Sequence, residues 1–179
     1  MTQENADIPV DDFNARIFNL WDKNWLALAS GDFQKGDFNV MTVAWGSMGI
    51  MWNLPFAMVV VRPTRYTFEF INKYDTFSLS AFPDEFRSAL NILGTKSGRD
   101  SDKVKEAGLT PVQLDQIEAP GFSQADLTIQ CRRIYWDDLD PTKFLLSTID
   151  DHYEKKDYHR MVFGEIKRIQ GNRKKYSAL

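Results

Sequence analysis

PFAMVVVRPTRYT, residues 55–67, decides how the rest of the chain is read. The nearly unbroken apolar run from Pro55 to Val61 has the length and β-branched content of a strand. Its continuity predicts burial on both faces. The run then ends in Arg62, Pro63, Thr64, Arg65, Tyr66 and Thr67. A core strand gains nothing from two guanidiniums and two hydroxyls packed so closely, whereas an anion does. A helix N-terminus presents unpaired N–H groups and a partial positive charge. Arginine adds a planar fork suited to phosphate. The stretch therefore predicts a strand, a polar turn, and a short helix over 66–74 capped at or next to Thr64, with Phe68, Phe70 and Ile71 facing inward. The residues alone leave a second reading open, a capped helix whose arginines pair with carboxylates such as Glu69 or Asp84.

Upstream, WLALASG (25–31) and FNVMTVAWGS (38–47) read as strands, and FNARIFNLWDK (13–23) has helical spacing. Gly46 and Gly49 mark a bend or a close neighbour. Downstream, TFSLSAF (76–82) alternates as a strand, and Pro83–Asp84 open a helix that ends at Gly94. A polar loop over 95–103 leads into a short helix, DKVKEAG (102–108). Weak strands near 111–118 precede two long ones, 125–138 and 159–170. Six or seven strands thus follow one another without long helical crossovers. That pattern predicts a mainly β, antiparallel barrel with several short α-helices, and argues against a doubly wound parallel sheet.

A length of 179 residues suits one domain over 1–179. With 43% hydrophobic and 26% charged residues, the composition is that of a soluble globular protein. The net charge of −3 argues against general binding of nucleic acid or anionic membrane, which needs a basic face. The basic KRIQGNRKKY (167–176) reads as a solvated tail. The polar, acidic start is no signal peptide, and FAMVVV is far too short to span a bilayer. Cys131, the single cysteine, sits in the alternating DLTIQCRRIYW and reads as strand packing. It cannot form an internal disulfide, which fits a reducing cytoplasm. Five Trp and thirteen Phe suit either a bulky core or a protein that covers a flat ligand or partner.

GTKSGRDSDK (94–103) lacks the Gly-Lys-Ser/Thr order of a P-loop. Lys96, Ser97 and the Gly98 backbone are nonetheless able to complete an anion cradle begun by Arg62 and Arg65. No GxGxxG follows a strand, and no metal-ligand spacing occurs. His159 is either structural or a proton donor.

In combination, N-x-M-T-x-x-W-G (39–46), W-N-x-P (52–55), R-P-T-R-Y-T (62–67) and G-T-K-S-G-R-D (94–100) resemble the flavin reductase-like, FMN-binding split-barrel family, nearest its flavoredoxin-type branch. The resemblance runs over residues 20–170. It implies a six-stranded Greek-key split barrel, a homodimer, and FMN at the barrel edge. It places Met41, Thr42, Val43, Ala44, Trp45 and Ser47 along the flavin ring, with Asn53 close by. It sets Arg62, Thr64, Arg65 and Thr67 on the phosphate turn, and Lys96 and Ser97 on a second polar loop. It implies that His159, before MVFGEI, contacts flavin or nicotinamide. It further implies NAD(P)H as electron donor to an NAD(P)H:flavin oxidoreductase; an electron carrier with tightly held FMN, serving a redox partner, and a flavin-binding protein without turnover are the alternatives.

Overall fold

The computed structural model describes residues 5–177. Ten strands occur in chain order: β1 (Ala6–Asp7), β2 (Leu26–Asp32), β3 (Asp37–Val43), β4 (Gly46–Met51), β5 (Leu54–Val61), β6 (Thr76–Ala81), β7 (Pro111–Val112), β8 (Gly121–Phe122), β9 (Leu127–Asp138) and β10 (Arg160–Gly171). Five α-helical segments accompany them: α1 (Ile17–Asn19), α2 (Thr67–Lys73), α3 (Arg87–Thr95), α4 (Lys103–Glu106) and α5 (Arg173–Tyr176).

The main sheet runs β3-β2-β6-β9-β10-β5-β4, with β1 added alongside β10 and every pairing antiparallel. Its two ends, β3 and β4, are separated in sequence only by Ala44 and Trp45. Two residues cannot cross the width of a flat seven-strand sheet, whose strands lie about 4.8 Å apart. The sheet therefore curls until its edges meet, which makes a barrel open along the β3/β4 seam.

Alternation along β2 explains how the barrel is filled and covered. Leu26 and Leu28 point into the barrel with Met41, Val59, Phe77, Leu79, Ile129 and Val162. Ala27 and Ala29 point outward, under Leu90 and Leu93 of α3. Every residue of β2 and β6 is buried, because small side chains on the outer face let a second layer approach. Ser78 of β6, for example, donates to the Pro120 carbonyl at 2.5 Å.

Five sequence expectations change. The strand expected over 38–47 breaks at Ala44–Trp45, since its second half joins β5 instead of continuing beside β2. Gly46 begins that second half, where a Cβ would lie 2.4 Å from the Met58 carbonyl oxygen and from the Trp21 ring. β5 is buried on alternate residues, with both faces covered only in part. The helix expected over 13–23 shrinks to α1 and one π-turn over Leu20–Asn24. Of the strand signal near 111–118 only β7 survives, paired with β8. The basic tail is docked: Tyr176 is buried and donates to Asp126, Lys175 pairs with the same carboxylate, and Arg168 pairs with Asp7. Among the described residues no helix is long and apolar enough to cross a membrane.

Candidate functional site

The seam carries a cavity of about 350 Å³, with an adjoining depression of about 250 Å³. Volumes of roughly 300–1,000 Å³ are usual for small-molecule sites. The end of β3 forms the floor through Met41, Thr42 and Ala44, while Val43, Trp45 and Val60 extend it into the depression. Leu90, Asn91, Gly94 and Thr95 of α3 form one wall, held to the floor by Thr42 Oγ1 donating to the Leu90 carbonyl at 2.5 Å. Trp25 closes one corner, and Arg62, Arg65 and His159 supply the charged and polar side.

The two arginines of the opening stretch differ in their commitments. Arg62 donates from Nη1 to both Asp157 oxygens at 3.2 Å and from Nη2 to the His152 carbonyl at 2.7 Å. It thereby ties the strand end to the 139–158 excursion. Arg65 donates to the Gly94 carbonyl at 2.5 Å, and among the described residues no carboxylate pairs with it. Burial, and next the charge of Arg62, hold its pKa below the ordinary arginine value. Neither Glu69 nor Asp84 pairs with these arginines, and Arg99 takes Glu69.

Behind Gly94 lies a second buried cation. Lys103 donates to the Leu93 and Lys96 carbonyls, both at 3.1 Å, and so satisfies the open end of α3. Burial, then the nearby Arg65 charge, pull its pKa down to about 8. Two cations without carboxylate partners make this side of the cavity electropositive.

His159 is buried and lines both the cavity and the depression, near Arg62. Its Nδ1 is 2.8 Å from Tyr153 Oη, and its ring lies 5.2 Å from that of Trp45. Burial first, and Arg62 second, push its pKa down to about 4.

Of the residues singled out in the sequence, Met41, Thr42, Ala44, Arg62, Arg65 and His159 share the main cavity, and Val43 and Trp45 line the depression. The other six stand outside the lining. Ser47 pairs across from Met58 on β4, and Asn53 sits in the β4–β5 turn at φ 57°. Thr64 is exposed, its hydroxyl 3.4 Å from Asp157. Thr67 is buried and accepts from Asn39 Nδ2 at 2.7 Å. Lys96 pairs with Glu106, and Ser97 Oγ accepts from the Arg99 amide at 3.2 Å. The expected helix is present as α2, but it starts at Thr67 with no side-chain cap. Sequence reasoning missed Trp25, Leu90 and Asn91. The apolar face of α3 was a usable signal for Leu90; nothing local marks Trp25, whose backbone stands at φ 63°.

A family model of the flavin reductase like domain matches residues 26–178. The chain belongs to the flavin reductase-like family. Its fold agrees with that of solved members. The FMN-binding domain of a flavin reductases-like enzyme from Shewanella baltica OS155 superposes with a TM-score of 0.68 at 16% identity, over 96% of this chain and 79% of that one. The flavoredoxin of Desulfovibrio vulgaris (Miyazaki F) gives 0.63 at 18% identity, over 92% and 75%. An NADH:FAD oxidoreductase of Streptomyces globisporus C-1027 gives 0.60 at 14%, over 82% and 74%. A curated relative, an uncharacterized protein of Pyrococcus abyssi (strain GE5 / Orsay), is 32% identical over 94 residues, 52% of each chain. The match thus spans about half the length of that relative. At these identities the solved structures establish a common split-barrel fold for the family.

Proposed function

We propose that the seam cavity binds FMN and that the chain is an NAD(P)H:flavin oxidoreductase. The observation that carries the reading is Arg65: a half-buried guanidinium on the cavity wall with a carbonyl for a partner and no carboxylate. Leaving such a charge uncompensated is costly, and an anionic ligand removes the cost. The cavity's other surfaces, Met41, Ala44, Leu90 and Trp25, suit a flat apolar ring. Anion at one end and conjugated ring at the other is the chemistry of a flavin mononucleotide, so these residues fit the group.

When bound, FMN would supply the redox chemistry, accepting reducing equivalents from a reduced nicotinamide for a second flavin or a redox partner. The chain itself positions and insulates. Arg65 holds the phosphate, backed by the Lys103 charge. Arg62 holds the excursion through Asp157 and stands ready as a second donor. Backbone groups of Thr42–Trp45 meet the polar edge of the ring, and Trp45 and His159 border the approach to it. No side chain is needed as a nucleophile. The only cysteine is buried, and burial raises its thiol pKa, so it is protonated and shielded from reaction.

A second copy of the chain is the proposed partner. Ile50, Met51, Trp52 and Tyr135 are exposed on the β4–β5 hairpin and the neighbouring part of β9, an apolar surface of the kind that marks an interface.

Visible absorption of the purified protein before and after anaerobic NADH tests the function. NADH consumption that requires added flavin supports the reductase. A yellow protein that keeps FMN through dialysis and bleaches slowly marks an electron carrier. Failure to bind FMN under any condition removes the reading.

A further inference from the structure

We propose that Tyr153 is a positioning residue that locks His159 as the neutral Nε2–H tautomer, so that His159 offers the cavity a fixed hydrogen-bond donor. The donor's role toward FMN rests on the flavin reading above; the tautomer lock does not.

Tyr153 belongs to the 139–158 excursion and is buried. Its ring is held by Phe144 at 6.1 Å and Tyr158 at 4.9 Å, with the Arg62 guanidinium 5.2 Å from its centroid. Its hydroxyl meets His159 Nδ1 at 2.8 Å. Burial raises the Tyr153 pKa above the ordinary tyrosine value, so the hydroxyl keeps its proton. A buried hydroxyl proton needs an acceptor, and the nitrogen facing it is one only when Nδ1 is unprotonated. Neutral His159 then carries its proton on Nε2, the ring atom on the far side from Tyr153.

The charged groups facing this pair agree with a neutral ring. Arg62, at the end of β5, repels an imidazolium; Asp157, in the excursion, attracts one but is neutralised by its pair with Arg62. His159 lines both the cavity and the depression. A donor there suits a ligand carbonyl, such as those of a flavin edge or a carboxamide. The arrangement also explains the Arg62–Asp157 clasp: by fixing the excursion it fixes the tyrosine that orients the histidine.

The chain has two histidines, so the test is direct. Full-length ¹⁵N-labelled His152→Gln protein leaves one imidazole, and long-range ¹H–¹⁵N correlation reads its tautomer without ligand. We expect a pyridine-type Nδ1 and a pyrrole-type Nε2 at neutral pH. Adding Tyr153→Phe should move both nitrogens toward averaged tautomer shifts, with the rest of the spectrum retained. A pyrrole-type Nδ1, or shifts that ignore Tyr153→Phe, overturns the lock. FMN titration should then displace the Nε2–H resonance. FMN that binds without moving it overturns the donor role, whereas FMN that does not bind sinks the flavin reading while the ligand-free tautomer still decides the part of Tyr153.

Discussion

Arg62 and Arg65 stand three positions apart, yet only one is free of carboxylate. Charge-assisted hydrogen bonds contribute about 1.5–3 kcal/mol each. Arg65→Ala should therefore weaken FMN binding by about 10–100-fold and riboflavin binding much less, as fluorescence titration will show. Arg62→Ala should act first on the excursion, seen as faster proteolytic cutting within 139–158, with a smaller effect on FMN. Equal losses of FMN and riboflavin in Arg65→Ala would count against phosphate contact.

His159 makes a pH prediction at the same scale. Its folded pKa of about 4 lies below the ordinary 6.5. Between these values the unfolded chain binds a proton that the folded chain refuses, so stability falls as pH drops from about 6.5 to 4. The loss is at most about 3.5 kcal/mol for this one group. Urea midpoints in His159→Gln should lack that part of the acid slope.

At the scale of elements, the β3/β4 break sets the site. Alternation and β propensity mark FNVMTVAWGS as extended throughout, and both halves are indeed extended. What they do not reveal is that the halves bond to opposite ends of one sheet. Gly46 permits this, because the Trp21 ring and the Met58 carbonyl occupy the space a Cβ needs. Gly46→Ala should cost about 1–3 kcal/mol or more by overpacking, read by chemical denaturation.

The end of α3 is a second such element. Lys103 is buried against two carbonyls with a pKa near 8. Below pH 8 both folded and unfolded states hold its proton, and the full cost of burying the charge is present. From pH 8 to about 10.5 the folded chain releases the proton first, so stability rises across that window. Lys103→Met should abolish this alkaline rise in thermal melts. A slope unchanged in the variant would assign it to another group.

For the whole molecule, the exposed aromatic surface on β4, β5 and β9 is the feature a single copy leaves uncovered. Trp52 takes φ 54° in the hairpin turn, next to Tyr135 at 5.9 Å and Phe163 at 6.3 Å. A tryptophan in this left-handed conformation costs energy that a partner surface can offset. Light scattering should give the mass of a dimer, and Trp52→Ala should shift it toward monomer at micromolar concentration.

Most of the extended segments, the antiparallel class and the polar turn after Val61 were determined by the sequence alone, because alternation, β-branching and charge spacing are local properties. The family motifs singled out residues of β3, Arg62, Arg65 and His159, which line one cavity and its adjoining depression, but also Ser47, Asn53, Thr64, Thr67, Lys96 and Ser97, which do not. Which arginine is free, which threonine is spent on Asn39, and that Trp25 and α3 complete the cavity were decided only by tertiary structure. Those outcomes depend on which groups become neighbours when a seven-strand sheet closes on itself, and a side chain's partner in space leaves no trace in its sequence context.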